Sequence, residues 1–122
     1  MLFRSMSFRM LQADVLRWAK DKDLLHVENA DKQFMKFIEE VFEFKAEMDW
    51  IIQSEKSKIE VEYKLSRFKD MKLELGDILV TLIILSEQMD IDLVECLAMA
   101  YEKISDRKGK TINGVFVKEE DL

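Results

Sequence analysis

Proline is absent from this sequence, and glycine occurs three times, as Gly76, Gly109 and Gly114. A chain so poor in helix breakers and turn formers is expected to run as long helices with few reversals. One cysteine, Cys96, excludes an internal disulfide and suits a reducing compartment. One histidine, His26, argues against a carboxylate-bridged di-iron bundle, which draws a Glu-x-x-His from each of two helices. No apolar run approaches the roughly 18–20 residues that span a bilayer, and Arg4 and Arg9 interrupt the apolar N-terminus before a signal-type segment can form. The expected setting is therefore the cytoplasm, with no membrane partner. Basic residues are outnumbered, 19 Lys and Arg against 25 Asp and Glu, and the net charge of -6 opposes a broad nucleic-acid footprint. A nucleotide still fits such a chain if a metal inverts the local field. There is no glycine-rich loop to cradle phosphates through backbone N–H groups, so metal and Lys or Arg side chains are left to hold them.

With 48% hydrophobic and 36% charged residues, the chain suits one ordered domain, residues 1–122, with an all-α core. Phe8, Leu11, Val15 and Trp18 have helical spacing over about Ser7–Lys20. The bases Arg4, Arg9, Arg17, Lys20 and Lys22 would also suit a membrane-surface helix, an alternative that Asp14, Asp21 and Asp23 dilute. After a connector ending at Asn29, a plausible N-cap, a second helix is expected over about Ala30–Ile52. It places Glu39, Glu40, Glu43, Glu47 and Lys36 on one stripe and Phe34, Phe37, Val41, Phe44 and Met48 on the other side. Met35, Ile38 and Phe42 widen its apolar surface, which suggests more than one neighbour, a second subunit included. The charged segment Ser54–Lys72 reads either as a short strand, from the alternation of Ile59, Val61, Tyr63 and Leu65, or as a helical excursion. Leu73–Gln88 reads as a third helix rather than a buried strand. It is apolar nearly all round apart from Thr81, and is expected to sit centrally in a bundle. A fourth helix, starting at Asp90 or Asp92, should stop near Gly109. The tail, residues 111–122, holds an Asn-Gly turn suited to a small β-ribbon or irregular end.

The chemistry lies in two acidic pairs, Glu40/Glu43 and Glu74/Asp77. Antiparallel packing could bring them together, and oxygen-only ligands select Mg²⁺ or Mn²⁺ rather than Zn²⁺. By itself Glu39-Glu40-x-x-Glu43 is as much a solvated helix face as a site. Glu74 and Asp77 precede an apolar run; their ordinary reading is an acidic first turn favoured by the helix dipole, and their functional reading is a ligand pair that needs a partner when buried. Cys96, among Leu93, Val94 and Leu97, is expected to pack as a small hydrophobe without a base to activate it. Lys103, Arg107, Lys108 and Lys110 suit either charge compensation at a helix C-terminus or an anion clamp.

Asn29, Gln33, Lys36, Glu39-Glu40-Val-Phe-Glu43, then Glu74-Leu-Gly-Asp77, then Tyr101, Ile104 and Asp106-Arg107-Lys108-Gly109-Lys110, closing on Asn113-Gly114-Val-Phe-Val-Lys118, together resemble the MazG-like branch of the all-alpha nucleoside triphosphate pyrophosphatases. The likeness extends over most of the chain except Trp50–Met71, a possible insertion. It implies a four-helix bundle core, assembly as a dimer or dimer of dimers, and Mg²⁺-dependent hydrolysis of a ribo- or deoxyribonucleoside triphosphate to the monophosphate and pyrophosphate. By position, Glu40, Glu43, Glu74 and Asp77 would be metal ligands, and Glu39 a further ligand or the group that orients water. Lys36, Lys103, Arg107 and Lys110 would face phosphates, while Gln33 and Trp18 would line the nucleoside pocket. Glu102 stands where such sequences commonly carry an asparagine, which bears on substrate choice. The alternative is a helical module of the same fold that binds a nucleotide or a protein without hydrolysis.

Overall fold

The computed structural model describes residues 6–54 and 61–122, the side chain of Val61 excepted. The chain forms two compact units, Met1–Ile91 and Asp92–Leu122. In the first, Ser7 caps helix α1 (Phe8–Asp21): its hydroxyl accepts from the Met10 N–H at 3.2 Å, satisfying a first-turn donor that the helix cannot. The chain turns at Asp23, which takes a left-handed φ of 59°, a conformation aspartate tolerates better than most residues. A 3-10 turn, Val27–Asn29, leads into α2 (Ala30–Ser54), and α3 follows as Val61–Gln88.

Helices α2 and α3, of 25 and 28 residues, are about 37 and 42 Å long at 1.5 Å per residue. The charged segment Ser54–Lys72, which read equally as strand or helix, is helical wherever it is described: Ser54 closes α2 and residues 61–72 open α3. Ile59, part of the alternation that suggested a strand, and Arg4 lie outside the described residues. With no proline or glycine in the segment, and with Glu, Lys and Arg as good helix formers, nothing local stops either helix earlier.

Three polar contacts set how α2 and α3 meet. Gln33 Nε2 donates to the Thr81 carbonyl at 3.3 Å, the Glu40 carboxylate meets that of Glu74, and Glu47 Oε2 lies 3.2 Å from Arg67 Nε. Each step of seven residues forward along α2 is matched by seven back along α3, the period at which two helices keep one seam in contact. On α2 the sheltered positions Gln33, Phe37, Glu40, Phe44, Glu47 and Ile51 alternate polar and apolar side chains at spacings of four and three. The expected division of α2 into an apolar side and an acidic stripe does not coincide with burial, since Phe34 is 46% exposed and Glu40 only 6%. Apolar residues encircle α2, so hydrophobicity alone does not choose the flank that meets the neighbour.

The fully buried apolar residues among those described are Ala19, Ile83 and Ile84. Helix α3 is not enclosed on nearly every side as expected, because Leu73, Leu75 and Leu79 stay exposed: α1 and α2 cover only part of its circumference.

In the second unit, Asp92 rather than Asp90 caps α4 (Leu93–Ser105), its carboxylate accepting from the N–H groups of Val94 and Glu95 at 3.0 and 3.3 Å. The helix ends at Ser105, capped by Asp106, and not near Gly109. Gly109 instead opens strand β1 (Gly109–Ile112), which pairs antiparallel with β2 (Val115–Lys118) in the register Gly109↔Lys118 to Ile112↔Val115. A Cβ on Gly109 would stand 2.1 Å from the Val117 carbonyl oxygen, so this glycine serves close backbone approach rather than helix capping. The expected ribbon is present, beginning two residues before position 111, and Asn113-Gly114, with φ of 51° and 78°, forms its two-residue turn. Cys96 is exposed, as is its neighbour Leu97, so the expected packing of the thiol does not occur. No helix among the described residues is long and apolar enough to cross a membrane.

Candidate functional site

Glu74 and Asp77 lie more than three turns inside α3, because the helix begins at Val61 and not at Leu73. An acidic first turn favoured by the dipole is thereby excluded, since that effect fades beyond one turn. One carboxylate oxygen from each of Glu40, Glu74 and Asp77 lies within 4.8 Å of the other two. Glu40 is buried, Glu74 half-buried and Asp77 exposed, so the cluster is closed towards the helix seam and open towards solvent.

Only part of this charge is compensated by the protein. Lys36 Nζ reaches Glu40 Oε1 at 3.3 Å and Glu39 Oε2 at 3.4 Å, and these carboxylates, Glu40 before Glu39, hold the lysine above its ordinary value of 10.5. Glu40 Oε2 and Glu74 Oε2 are buried atoms with no hydrogen-bond partner. Burial first, then the facing Glu40 and Glu43 carboxylates, push the Glu74 carboxyl up from 4.5 to about 7. An unpaired buried carboxylate costs several kcal/mol or takes up a proton. A donor set made only of carboxylate oxygens, two of them orphaned, fits a hard divalent cation such as Mg²⁺ or Mn²⁺.

Two members of the cluster, Glu40 and Asp77, line a cleft of about 310 Å³ together with Trp18, Leu24, Gln33, Lys36, Val80, Thr81 and Ile84. Five residues singled out in the sequence thus meet in one place: Trp18 from α1, Gln33, Lys36 and Glu40 from α2, and Asp77 from α3. Chemistry settles the Gln33 amide, because the Thr81 carbonyl can only accept and so turns the NH₂ towards itself. Leu24, Val80, Thr81 and Ile84 were not anticipated as lining. Thr81 carried a signal as the one polar residue in its apolar run, whereas Leu24, in a connector, carried none.

Other expected residues are not members of the three-oxygen cluster. Glu43 lies against Glu74 and raises its pKa but is outside the group of three. Glu39 is exposed beside Lys36. Glu47, the last acid of the stripe, is paired with Arg67. His26 is exposed and bonded to Asp23 at 2.6 Å, a contact that raises its pKa. Lys103 in the last turn of α4, Arg107 just beyond it, and Lys110, opposite Val117 on the ribbon, belong to the second unit. Glu102 is there too, exposed on α4, its backbone carbonyl accepting from the Ser105 hydroxyl at 2.9 Å.

The result is a helical protein with a three-carboxylate cluster on two facing helices and a lysine and a partly apolar cleft beside it. Residues 29–112, more than half of the chain, match the MazG nucleotide pyrophosphohydrolase domain, and the chain belongs to that family. No curated protein and no solved structure matches it.

Proposed function

We propose that the chain hydrolyses a ribo- or deoxyribonucleoside triphosphate to the nucleoside monophosphate and pyrophosphate, with Mg²⁺ as cofactor and Mn²⁺ as its substitute. The observation that carries this reading is the pair of orphaned buried oxygens, Glu40 Oε2 and Glu74 Oε2, within a three-carboxylate cluster beside a cleft. Glu40, Glu43, Glu74 and Asp77 are the residues that would hold the cation. When bound it offsets triphosphate charge and makes water a better nucleophile at neutral pH. Glu39, on the exposed side, orients the water and accepts its proton. The water oxygen then bonds to the α-phosphorus, the α–β bridging P–O bond breaks, and the electron pair leaves with pyrophosphate. Lys36 is the cation on the cleft wall nearest the carboxylates and offsets charge on the phosphate oxygens. The half-exposed Trp18 ring, with Leu24, Val80 and Ile84, offers the apolar surface a base needs, and Gln33 a polar edge beside it.

Assembly as a dimer or dimer of dimers is part of the same proposal. It is supported by the large apolar side chains left exposed on α2 and α3, among them Phe42, Leu65 and Leu79. The deciding experiment incubates the protein with each NTP and dNTP in Mg²⁺ and separates the products by chromatography. Monophosphate and pyrophosphate in equal amounts are expected. Orthophosphate alone, or no turnover with either Mg²⁺ or Mn²⁺, refutes the proposal.

A further inference from the structure

Arg67 is engaged on two sides. Its Nε and Glu47 Oε2 form an ion pair at 3.2 Å that is not aligned as a hydrogen bond, and its guanidinium sits 4.7 Å above the Trp50 ring, which Tyr63 meets edge-on at 5.2 Å. The Arg67 and Glu47 side chains are only 28% and 20% exposed, so the pair is largely sheltered from solvent. Arg67, Trp50 and Tyr63 all belong to Trp50–Met71, the segment that carries none of the nucleotide-pyrophosphatase motifs. They lie on the same seam as the acidic cluster, with Glu47 seven residues past Glu40 and Arg67 seven residues before Glu74.

Two helices that meet through like charges have reason to separate or slip at that point. A slip of one residue turns a side chain by about 100°, enough to take Glu74 away from Glu40. An attractive contact two turns along the same seam opposes both movements. The arginine's field is not the main agent, because Glu47 already offsets its charge and seven residues place it about 10.5 Å along the axis from Glu74. Its influence therefore runs through helix register.

We infer that Arg67, with Glu47 and Trp50, is a positioning residue that holds α2 and α3 in the register at which Glu40 and Glu74 face each other. Trp50 and Arg67, together with Glu47, then brace the cation site. The part of this inference that concerns a cation rests on the proposed function; the part that concerns register does not.

Two measurements on the full chain test it. In a Cys96→Ser background, Glu40→Cys with Glu74→Cys reports helix register through the rate of disulfide formation in oxidised glutathione, without metal. With the carboxylates intact, calorimetry reports Mg²⁺ affinity. Arg67→Met is expected to slow cross-linking several-fold and to weaken Mg²⁺ binding about tenfold, the scale seen when a group that orients metal ligands is removed. The exchange Glu47→Arg with Arg67→Glu, which restores opposite charges, should recover both. Unchanged cross-linking and unchanged Mg²⁺ affinity in Arg67→Met overturn the inference even if thermal stability falls, since the contact would then be a structural tie only. If the unmodified protein binds no Mg²⁺ while cross-linking responds as expected, the functional proposal fails and the brace stands.

Discussion

The acidic contact between Glu40 and Glu74 and the ionic contact between Glu47 and Arg67 occupy equivalent positions, seven residues apart, on one pair of helices. The two contacts differ in the sign of the charge that faces the glutamate of α2. At the ionic contact an arginine, itself seated on Trp50, offsets the glutamate's charge from within the chain, although neither Glu47 Oε2 nor Arg67 Nε makes a directed hydrogen bond. At the acidic contact Lys36 compensates one oxygen of Glu40, while Glu40 Oε2 and Glu74 Oε2 are left orphaned. One seam thus places arginine opposite glutamate at one position and glutamate opposite glutamate at the next.

The widest separation between the two positions is expected in catalysis. Glu40→Ala should lower kcat/KM by about 10²- to 10³-fold, the scale of losing one preorganised electrostatic contact, whereas Glu47→Ala should do far less; equal losses in a steady-state assay would erase the distinction. Cation linkage comes next. Mg²⁺ at a hundred times its Kd should stabilise the protein by about 2.7 kcal/mol, seen as a rise in Tm, and Glu74→Ala should remove that rise.

In the metal-free protein the two positions should respond to neutralisation with opposite signs. Arg67→Met should cost about 1–2 kcal/mol in urea unfolding, less than a fully buried pair because both side chains keep some contact with water. Glu74→Gln should stabilise by up to about 1 kcal/mol near neutral pH, because it ends a like-charge contact. The pH dependence follows from the same group. With its carboxyl raised from 4.5 to about 7, folded Glu74 keeps a proton that the unfolded chain has already released. This contribution is fully present below about 4.5 and is lost as pH rises through about 7, so metal-free stability should fall over that range and Glu74→Gln should flatten the fall. The smallest effect is expected at Lys45, whose exposed ion pair with Asp49 is on α2 outside either contact. Lys45→Ala should change stability by less than about 0.5 kcal/mol, and a larger loss would mean that the α2 surface is not as solvated as its exposure indicates.

Much of this architecture was legible from residue types. Ser7 and Asp92 act as caps, Asn113-Gly114 turns the ribbon, and four helices arise from a chain without proline, because each of these depends on neighbours within a few residues. The reading failed where the controlling partner was distant. Gly109 resembled a helix terminator, but the Val117 carbonyl across the ribbon is what demands it. Glu74 and Asp77 resembled a first turn because the helix ahead of them was hidden in a charged, non-periodic stretch. The acids of α2 were legible as a stripe, yet Glu40 as its buried member was not, since only α3 distinguishes it from Glu39.

The sequence by itself determined helices, caps, the ribbon turn, the acidic pairs and the family to which they belong, all properties of local conformation or of motif order. Only the tertiary structure decided which carboxylates face each other and that Arg67 stands on their seam. It also decided that Trp18, Gln33 and Lys36 share a cleft with Glu40 and Asp77. The reason is physical: a helix specifies the angle between its own side chains, but which of those angles meets a neighbour depends on the register of two helices, and that is a property of the pair.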